Sequence, residues 1–383
     1  MKHYDYIFTG TGLAALMTVY KMVLSGKFED KTILLLDENP KKNNDRTWCF
    51  WEENPTIWEE SVSKKWDSAL FVNEEFSRDL DLHPYQYNMI QGLDFYKQVF
   101  EHILKETNIT FVIEKVTEIN ELQNHVYVAS ETESFTCDTV FNSIFDKQDV
   151  LKQSRYPLLQ QHFIGWRIQS NQVIFNPQQT TFMDFSVAQK GNTRFMYVLP
   201  LSETEALLEY TLFSHQLLKK EEYETEIQNY IQKLGIPQYE IIEKEQGCIP
   251  MTCYPFWKKN TKRVLNIGTA GGWTKASTGY TFKNSNKKST QLVSFLLAEK
   301  DLSQFHKKNK FWFYDHLLLN ILDRKNELGS SIFSSLFKKG DPNLIFKFLD
   351  EETSLFEDIK VILKCPKALF IKAFFRVLFN FKK

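Results

Sequence analysis

Three groups of residues in this chain have types and spacings that could do chemistry. The first is Thr9-Gly10-Thr11-Gly12-Leu13-Ala14-Ala15, set between the apolar run Tyr4 to Phe8 and the helix-forming stretch Leu16 to Leu24. Strand, glycine turn and helix in that order make a dinucleotide-binding fingerprint. Gly10 permits a strained turn, Gly12 lets backbone approach a pyrophosphate, Leu13 and Ala14 complete the approach, and Ala15 keeps the helix close to the strand. The helix N-terminus adds free N–H donors and partial positive charge. A second strand, Thr32 to Leu36, ends in Asp37-Glu38, so Asp37 can accept from a ribose hydroxyl. The second group, Asp45-Arg46-Thr47-Trp48-Cys49-Phe50-Trp51, follows the turn by about thirty residues and sets an arginine beside two indoles. The third is a lone carboxylate, Glu209, between Leu207-Leu208 and Tyr210-Thr211-Leu212-Phe213. A glutamate on an alternating strand ordinarily faces solvent, so the residues alone give Glu209 no role.

The elements that must position these groups read as an α/β chain. Residues 1–154 alternate strand and helix in a doubly wound, Rossmann-type pattern, with a helix over Leu93 to Lys105 and strands at Thr110 to Val116, His125 to Ser130 and Thr139 to Phe141. Residues 155–260 change to strands with short turns, including Phe195 to Leu199 and Ala206 to Phe213, which predicts an inserted antiparallel-sheet substrate domain over the nucleotide site. At Arg263 to Gly268 the chain returns to the first domain, over 261–295, where Gly268, Thr269, Gly271 and Gly272 can close on a cofactor. Residues 296–383 read as helical.

Composition narrows the partners. A chain of 383 residues suits two moderate cores, and a formal net charge of -1 without a basic stripe argues against nucleic acid. Five cysteines, odd in number and without metal-ligand spacing, predict neither a disulfide framework nor a zinc site and suggest a reducing cytosol. Met1-Lys2-His3 runs straight into the first strand, leaving no room for a signal peptide, and no apolar run reaches the ~18 residues a spanning helix needs. Phenylalanine is the anomaly, at 33 residues, with 13 between Phe305 and Phe381. A final helix from Pro366 would put Lys372, Arg376, Asn380 and Lys383 on one face and Phe370, Phe374, Phe375, Leu378 and Phe381 over much of the rest, the pattern of a helix lying in a membrane surface; the alternative is a helix packed on its own protein.

The Asp45 to Trp51 string resembles the lycopene cyclases, and further segments resemble the same family in order: Tyr156 to Trp166, Met183-Asp184-Phe185, Arg194 to Leu201, Leu208-Glu209-Tyr210-Thr211, Ser277-Thr278-Gly279-Tyr280 and Phe348 to Thr353. Together they span nearly the whole chain and are most similar to the bacterial, flavin-dependent branch. The resemblance implies an FAD-binding first domain, reduced FAD with NAD(P)H as its electron donor, lycopene as substrate, closure of its acyclic ends to ionone rings without net oxidation, and attachment to the cytoplasmic face of a membrane. It implies that Glu209 is the catalytic acid, because it stands at the glutamate of the family's Phe-x-Glu-Glu/Asp-Thr motif. Such an acid must carry its proton near neutrality, which burial favours by disfavouring the anion.

The chain departs from the family at two places. Tyr210 takes the position of the second acid; a phenol can donate a hydrogen bond or stack near a cation but is a poor base. The economical expectation is that Glu209 gives and recovers the proton while anionic reduced flavin stabilises positive charge. Thr269 stands where many FAD proteins have aspartate, and it can still hydrogen-bond ribityl or phosphate oxygens. By family position Thr278 and Gly279 lie near the isoalloxazine, Arg46 contacts flavin or pyrophosphate, and Trp48 and Trp51 are walls, Trp51 equally readable as core. Asp350-Glu351-Glu352 superficially resembles the acidic motif but reads better as support for a helix N-terminus. Two other classes remain open at this stage: another FAD-dependent isoprenoid enzyme, a reductase or monooxygenase, and a non-catalytic flavoprotein that holds carotenoid.

Overall fold

The computed structural model describes residues 1–379, with Asp149 as backbone only. Its first layer is a sheet whose core strands Ile109–Ile113, Ile33–Asp37, Lys2–Thr9 and Ser134–Asn142 run parallel in that spatial order. Ser134–Asn142 is paired antiparallel to Val126–Ser130 over its first half and parallel to Val264–Asn266 over its second. The four apolar residues of Ile33–Asp37 are all buried, as a parallel strand covered on both faces demands. Ile33 and Leu35 pack against the helices Leu13–Ser25 and Gly92–Ile103, while Leu34 and Leu36 meet Val126, Val128 and Phe135. The first helix ends where Gly26 takes φ 59°, a left-handed stop that glycine adopts without strain.

The second layer is a seven-stranded sheet in the order Tyr239–Met251, Leu159–Ser170, Glu205–Ser214, Thr193–Pro200, Gln179–Asp184, Ser68–Val72 and Ser77–Asp81. One face is covered by the helix Lys220–Lys233 through Tyr223, Ile227 and Ile231. On the other face Phe182, Phe195, Leu199, Leu207 and Phe213 join a core with Phe333, Phe337 and Phe346 from the C-terminal helices. A small sheet, Thr47–Glu52, Gln86–Gln91 and Val62–Trp66, stands between the layers. The α/β architecture, with a Rossmann-type first domain, an inserted sheet and a helical C-terminal region, is the expected one.

Two features differ from the expectation. Ser68–Val72 and Ser77–Asp81 belong to the second sheet although they lie within residues 1–154, and Ser68–Val72 pairs parallel to Gln179–Asp184. That pairing is non-local, so no turn signal announces it. The last helix runs over Lys367–Phe379; Asn380, Phe381 and Lys383 lie outside the described residues. Ala373 of this helix is fully buried against Leu317, Ile321 and Ile332, so one face packs on the protein while Ile371, Phe375, Leu378 and Phe379 remain exposed. The packed face is the one that the alternative of a helix lying on its own protein describes.

Candidate functional site

A cavity of about 520 Å³ runs from the glycine turn into the space between the second sheet and the C-terminal helices. At its first end lie Gly12, Leu13, Ala14, Arg46, Trp48, Gly268, Thr269, Thr278 and Gly279. Gly10 takes φ 82°, a conformation open to glycine, and so turns the chain from the strand into the helix. No side chain caps the following helix and no acidic residue occupies its first turn, so its N–H donors are left for an anion. A Cβ on Gly12 would meet no protein atom within 4 Å, which keeps that side of the turn clear for a bulky ligand. Trp48 is held edge-on to Phe95, at 5.4 Å between ring centroids, and to Tyr96, at 6.1 Å. Lys41 also reaches the cavity; no sequence pattern marks it, because it sits in a polar loop without periodicity.

Five of the expected cofactor residues stand behind this wall. Ala15 is fully buried against the sheet. Asp37 accepts from Thr11 N–H at 2.6 Å, Thr11 Oγ1 at 2.9 Å and Asn39 N–H at 2.8 Å, and pairs with Lys41 at 3.2 Å. Its oxygens therefore brace the turn, and Asp37 does not itself line the cavity. Gly10 shapes the turn from behind. Gly271 and Gly272 also lie off the cavity: a Cβ on Gly271 would strike the Asn266 carbonyl, and Gly272 takes φ 67° against Phe256. Both serve the turn after Val264–Asn266.

The other end of the cavity is aromatic and aliphatic, with Phe182, Phe195, Phe213, Phe333 and Phe337 in its walls, and it holds two carboxyls, Glu209 and Glu245. Glu209 is 9% exposed and accepts from Thr211 Oγ1 at 2.6 Å; Glu245 accepts from Thr47 Oγ1 at 2.7 Å. Burial pushes the Glu209 carboxyl well above the usual carboxylate range, and the charge of Glu245 pushes it the same way, with only Thr211 opposing. Burial, the largest effect, and the charge of Glu243 raise Glu245 above its ordinary range, while the Thr47 hydroxyl, the Glu209 carboxyl beside it and the field of Arg46 oppose them. Among the described residues no lysine or arginine lies within ion-pair distance of either carboxyl. Beside them, Tyr197 donates to Tyr87 at 2.6 Å, and Tyr87 stands 3.4 Å from Tyr280.

Tyr210 is on the wrong side of the sheet for the expected catalytic role. Strand alternation turns it away from the cavity, where its hydroxyl receives Arg194 Nη1 at 3.3 Å and its ring packs edge-on to Tyr223. Trp51 is core: it stacks on Phe346 at 4.6 Å and donates from Nε1 to Asp350 at 2.7 Å. Asp350, Glu351 and Glu352 lie off the cavity and pair with Lys283, Lys275 and Lys287. Their role is structural, but not as helix caps: Ser354 and Glu357 form the capping box of the next helix.

The fold is that of a two-layer, Rossmann-type protein with an inserted sheet, and solved structures share it at low identity. A geranylgeranyl bacteriochlorophyll reductase-like protein from Thermoplasma acidophilum is similar with a TM-score of 0.64 and 12% identity, covering 97% of this chain and 98% of its own. A flavin-dependent brominase gives a TM-score of 0.60 and 10% identity over 99% of this chain and 100% of that one. Family membership comes from sequence: residues 5–377 match the model of the lycopene cyclase protein family, and the chain belongs to it. Relatives include a lycopene beta-cyclase from Pantoea ananas, 24% identical over 295 residues, which are 73% of this chain and 71% of the relative. Another, from Pseudescherichia vulneris, is 22% identical over 289 residues, 72% and 70% of the two chains.

Proposed function

We propose that this protein closes the acyclic ends of lycopene into ionone rings, by proton transfer and without net oxidation, with reduced FAD bound at the glycine turn and NAD(P)H as electron donor. The observation that carries the reading is Glu209: a carboxyl whose burial and neighbour favour its protonated form, at the apolar end of a cavity whose other end is a dinucleotide turn. Protonating an unactivated alkene needs such an acid, and the carbocation that follows survives only where water is excluded. The phenyl and phenol faces along the cavity supply negative ring density to that cation.

The residues at the turn fit FAD. Gly12 and the uncapped helix would receive its pyrophosphate, Arg46 and Lys41 would add positive charge, and Trp48, Thr269, Thr278 and Gly279 would flank the rest. When bound in its reduced, anionic form, flavin supplies negative charge that stabilises the cation. The substrate dissolves in lipid, and the exposed apolar side chains of Leu355–Ile362 and Lys367–Phe379, with Lys364, Lys367 and Lys372 exposed nearby, suit a surface lying on the cytoplasmic face of a bilayer.

Expression in cells that accumulate lycopene, followed by pigment chromatography, tests the reading. Cyclic carotenoid is expected, with reduced flavin required but not consumed. Stoichiometric NAD(P)H use or saturated products would replace it with a reductase. Gly12→Val is expected to abolish flavin absorbance in the purified protein, and unchanged absorbance would remove FAD from the turn. Truncation after Cys365 is expected to weaken flotation with anionic vesicles; undiminished flotation would rule out the helix as anchor.

A further inference from the structure

Leu159–Ser170 lies between Glu205–Ser214 and Tyr239–Met251, and its Gly165 is in register with Glu209 on one side and Glu245 on the other. Residues opposite one another across adjacent strands share a face of the sheet. The two glutamates therefore rise on the same face, their backbones two strand spacings or roughly 10 Å apart, over a residue with no side chain to separate them. A Cβ on Gly165 would come within 3.0 Å of Glu245 Cγ and 3.1 Å of Leu207 Cδ1. Glu245 Oε1 stands 3.3 Å from the same Cβ position, so its carboxyl leans over Gly165 on the face it shares with Glu209, and both carboxyls line the cavity.

We propose that Glu245 is the second catalytic carboxyl of this chain, the base to the acid Glu209, and that the pair holds one proton between them. The proposal rests on the cyclase reading. The O–H bond of Glu209 breaks as a C–H bond forms at the terminal alkene of the substrate. The π pair of a nearby alkene then closes the ring as a new C–C bond, leaving positive charge on a ring carbon. A C–H bond beside that carbon breaks, its electrons become the ring double bond, and Glu245 takes the proton. One proton enters and one leaves, and no electrons are exchanged with any partner. Proton transfer from Glu245 back to Glu209, across Gly165, resets the pair for the next turnover.

The surroundings divide the roles. Burial and the charge of Glu243 raise Glu245, and the Thr47 hydroxyl and the field of Arg46 favour its anion against them, while Glu209, raised further, has only Thr211. While Glu209 is spent, the pair carries two negative charges beside the cation and stabilises it. The acid that the motif lacks at Tyr210 is thus supplied from a neighbouring strand.

Glu245→Gln tests the pair in the full-length, flavin-loaded protein. Ring formation in single turnover is expected to fall by about tenfold or more. The alkaline limb of the pH–rate profile is expected to move down by about one pH unit or more, because the like charge that keeps Glu209 protonated is gone. The infrared band of a protonated carboxyl, assigned by its loss in Glu209→Gln, is expected to shift in Glu245→Gln, and Glu245→Asp is expected to recover part of the rate. A Glu245→Gln rate within about twofold of wild type with an unmoved limb, beside an inactive Glu209→Gln, would overturn the pair and leave the cyclase reading standing. Absence of rings from the wild type itself would instead remove that reading. If Glu245→Gln fails to retain flavin, Gly165→Ala takes its place: the added Cβ displaces Glu245 without deleting either acid, and an unchanged rate overturns the proposal.

Discussion

Two clusters of buried acids lie in this molecule, and they are built on opposite terms. In the cluster under the C-terminal helices, Lys275 Nζ stands 3.2 Å from Asp315 and 3.3 Å from Glu351, Ser277 donates to Asp315 at 2.7 Å, and Lys283 Nζ stands 2.5 Å from Asp350. Burial pushes all three carboxyls up; Lys275 and Asn309 outweigh it at Glu351 and hold that group below its ordinary range, while at Asp315 and Asp350 the lysines offset it only in part. In the cavity, Glu209 and Glu245 have hydroxyls and each other in place of ammonium groups. Cations at hydrogen-bond distance favour the carboxylate anion and tie elements together; a like charge adds to burial and favours the protonated form, ready to give the proton away. Acidity in the sequence is the same at both places, and the counter-charge decides which cluster is structure and which is chemistry.

Glu209→Gln presses this contrast hardest, with cyclisation expected to fall by about 10²–10⁴-fold while flavin absorbance is retained. Near-wild-type conversion, with activity lost instead in Glu351→Gln, would reverse the assignment of the two clusters. Lys275→Met should act on stability: it leaves Asp315 and Glu351 buried without their shared cation, at a cost of about 3–5 kcal/mol in denaturant unfolding. A midpoint unchanged from wild type would show that the lower cluster is not held by that lysine.

The pH dependence of stability should separate the clusters as well. The folded-state pKa of Glu209 lies above its ordinary 4.5, so the stability linked to its protonated form is fully present below that value and is lost as pH rises through the folded pKa. Melting temperatures of wild type and Glu209→Gln should therefore converge near pH 4 and separate toward pH 8 in favour of the variant. A gap that is constant with pH would mean that the folded protein does not raise the pKa of Glu209. Tyr210→Phe should have the smallest effect. It removes one 3.3 Å hydrogen bond to Arg194 on the far side of the sheet, at about 0.5–1.5 kcal/mol, with cyclisation unchanged. A large loss of activity would bring Tyr210 back to the reaction.

Local patterns were legible in the sequence, and cross-strand ones were not. The turn at Gly10 to Ala15 can be read because each residue's role depends on its neighbours in the chain. Glu209 could be found because an apolar strand surrounds it and a family motif marks it. Glu245 stands in Tyr239–Met251, whose run Glu243-Lys244-Glu245-Gln246 looks like a solvated edge strand. Only register across Gly165 turns one face of that strand into the cavity. The alternation of Glu243, Glu245 and Gly247 on a single face was the available signal. Tyr210 was misread for the related reason that adjacent motif positions on a strand face opposite ways.

The detour of Ser68–Val72 and Ser77–Asp81 into the second sheet makes the molecule resist dissection. A fragment cut at residue 154 would strip Gln179–Asp184 of its parallel neighbour and expose a bare hydrogen-bonding edge, an invitation to self-association. The chain stitches the nucleotide layer to the sheet that carries both glutamates, so the two layers are expected to unfold in a single cooperative step. Ligand held at the glycine turn would then protect the carboxyl-bearing strands from proteases over their whole length, well beyond the residues that line the cavity.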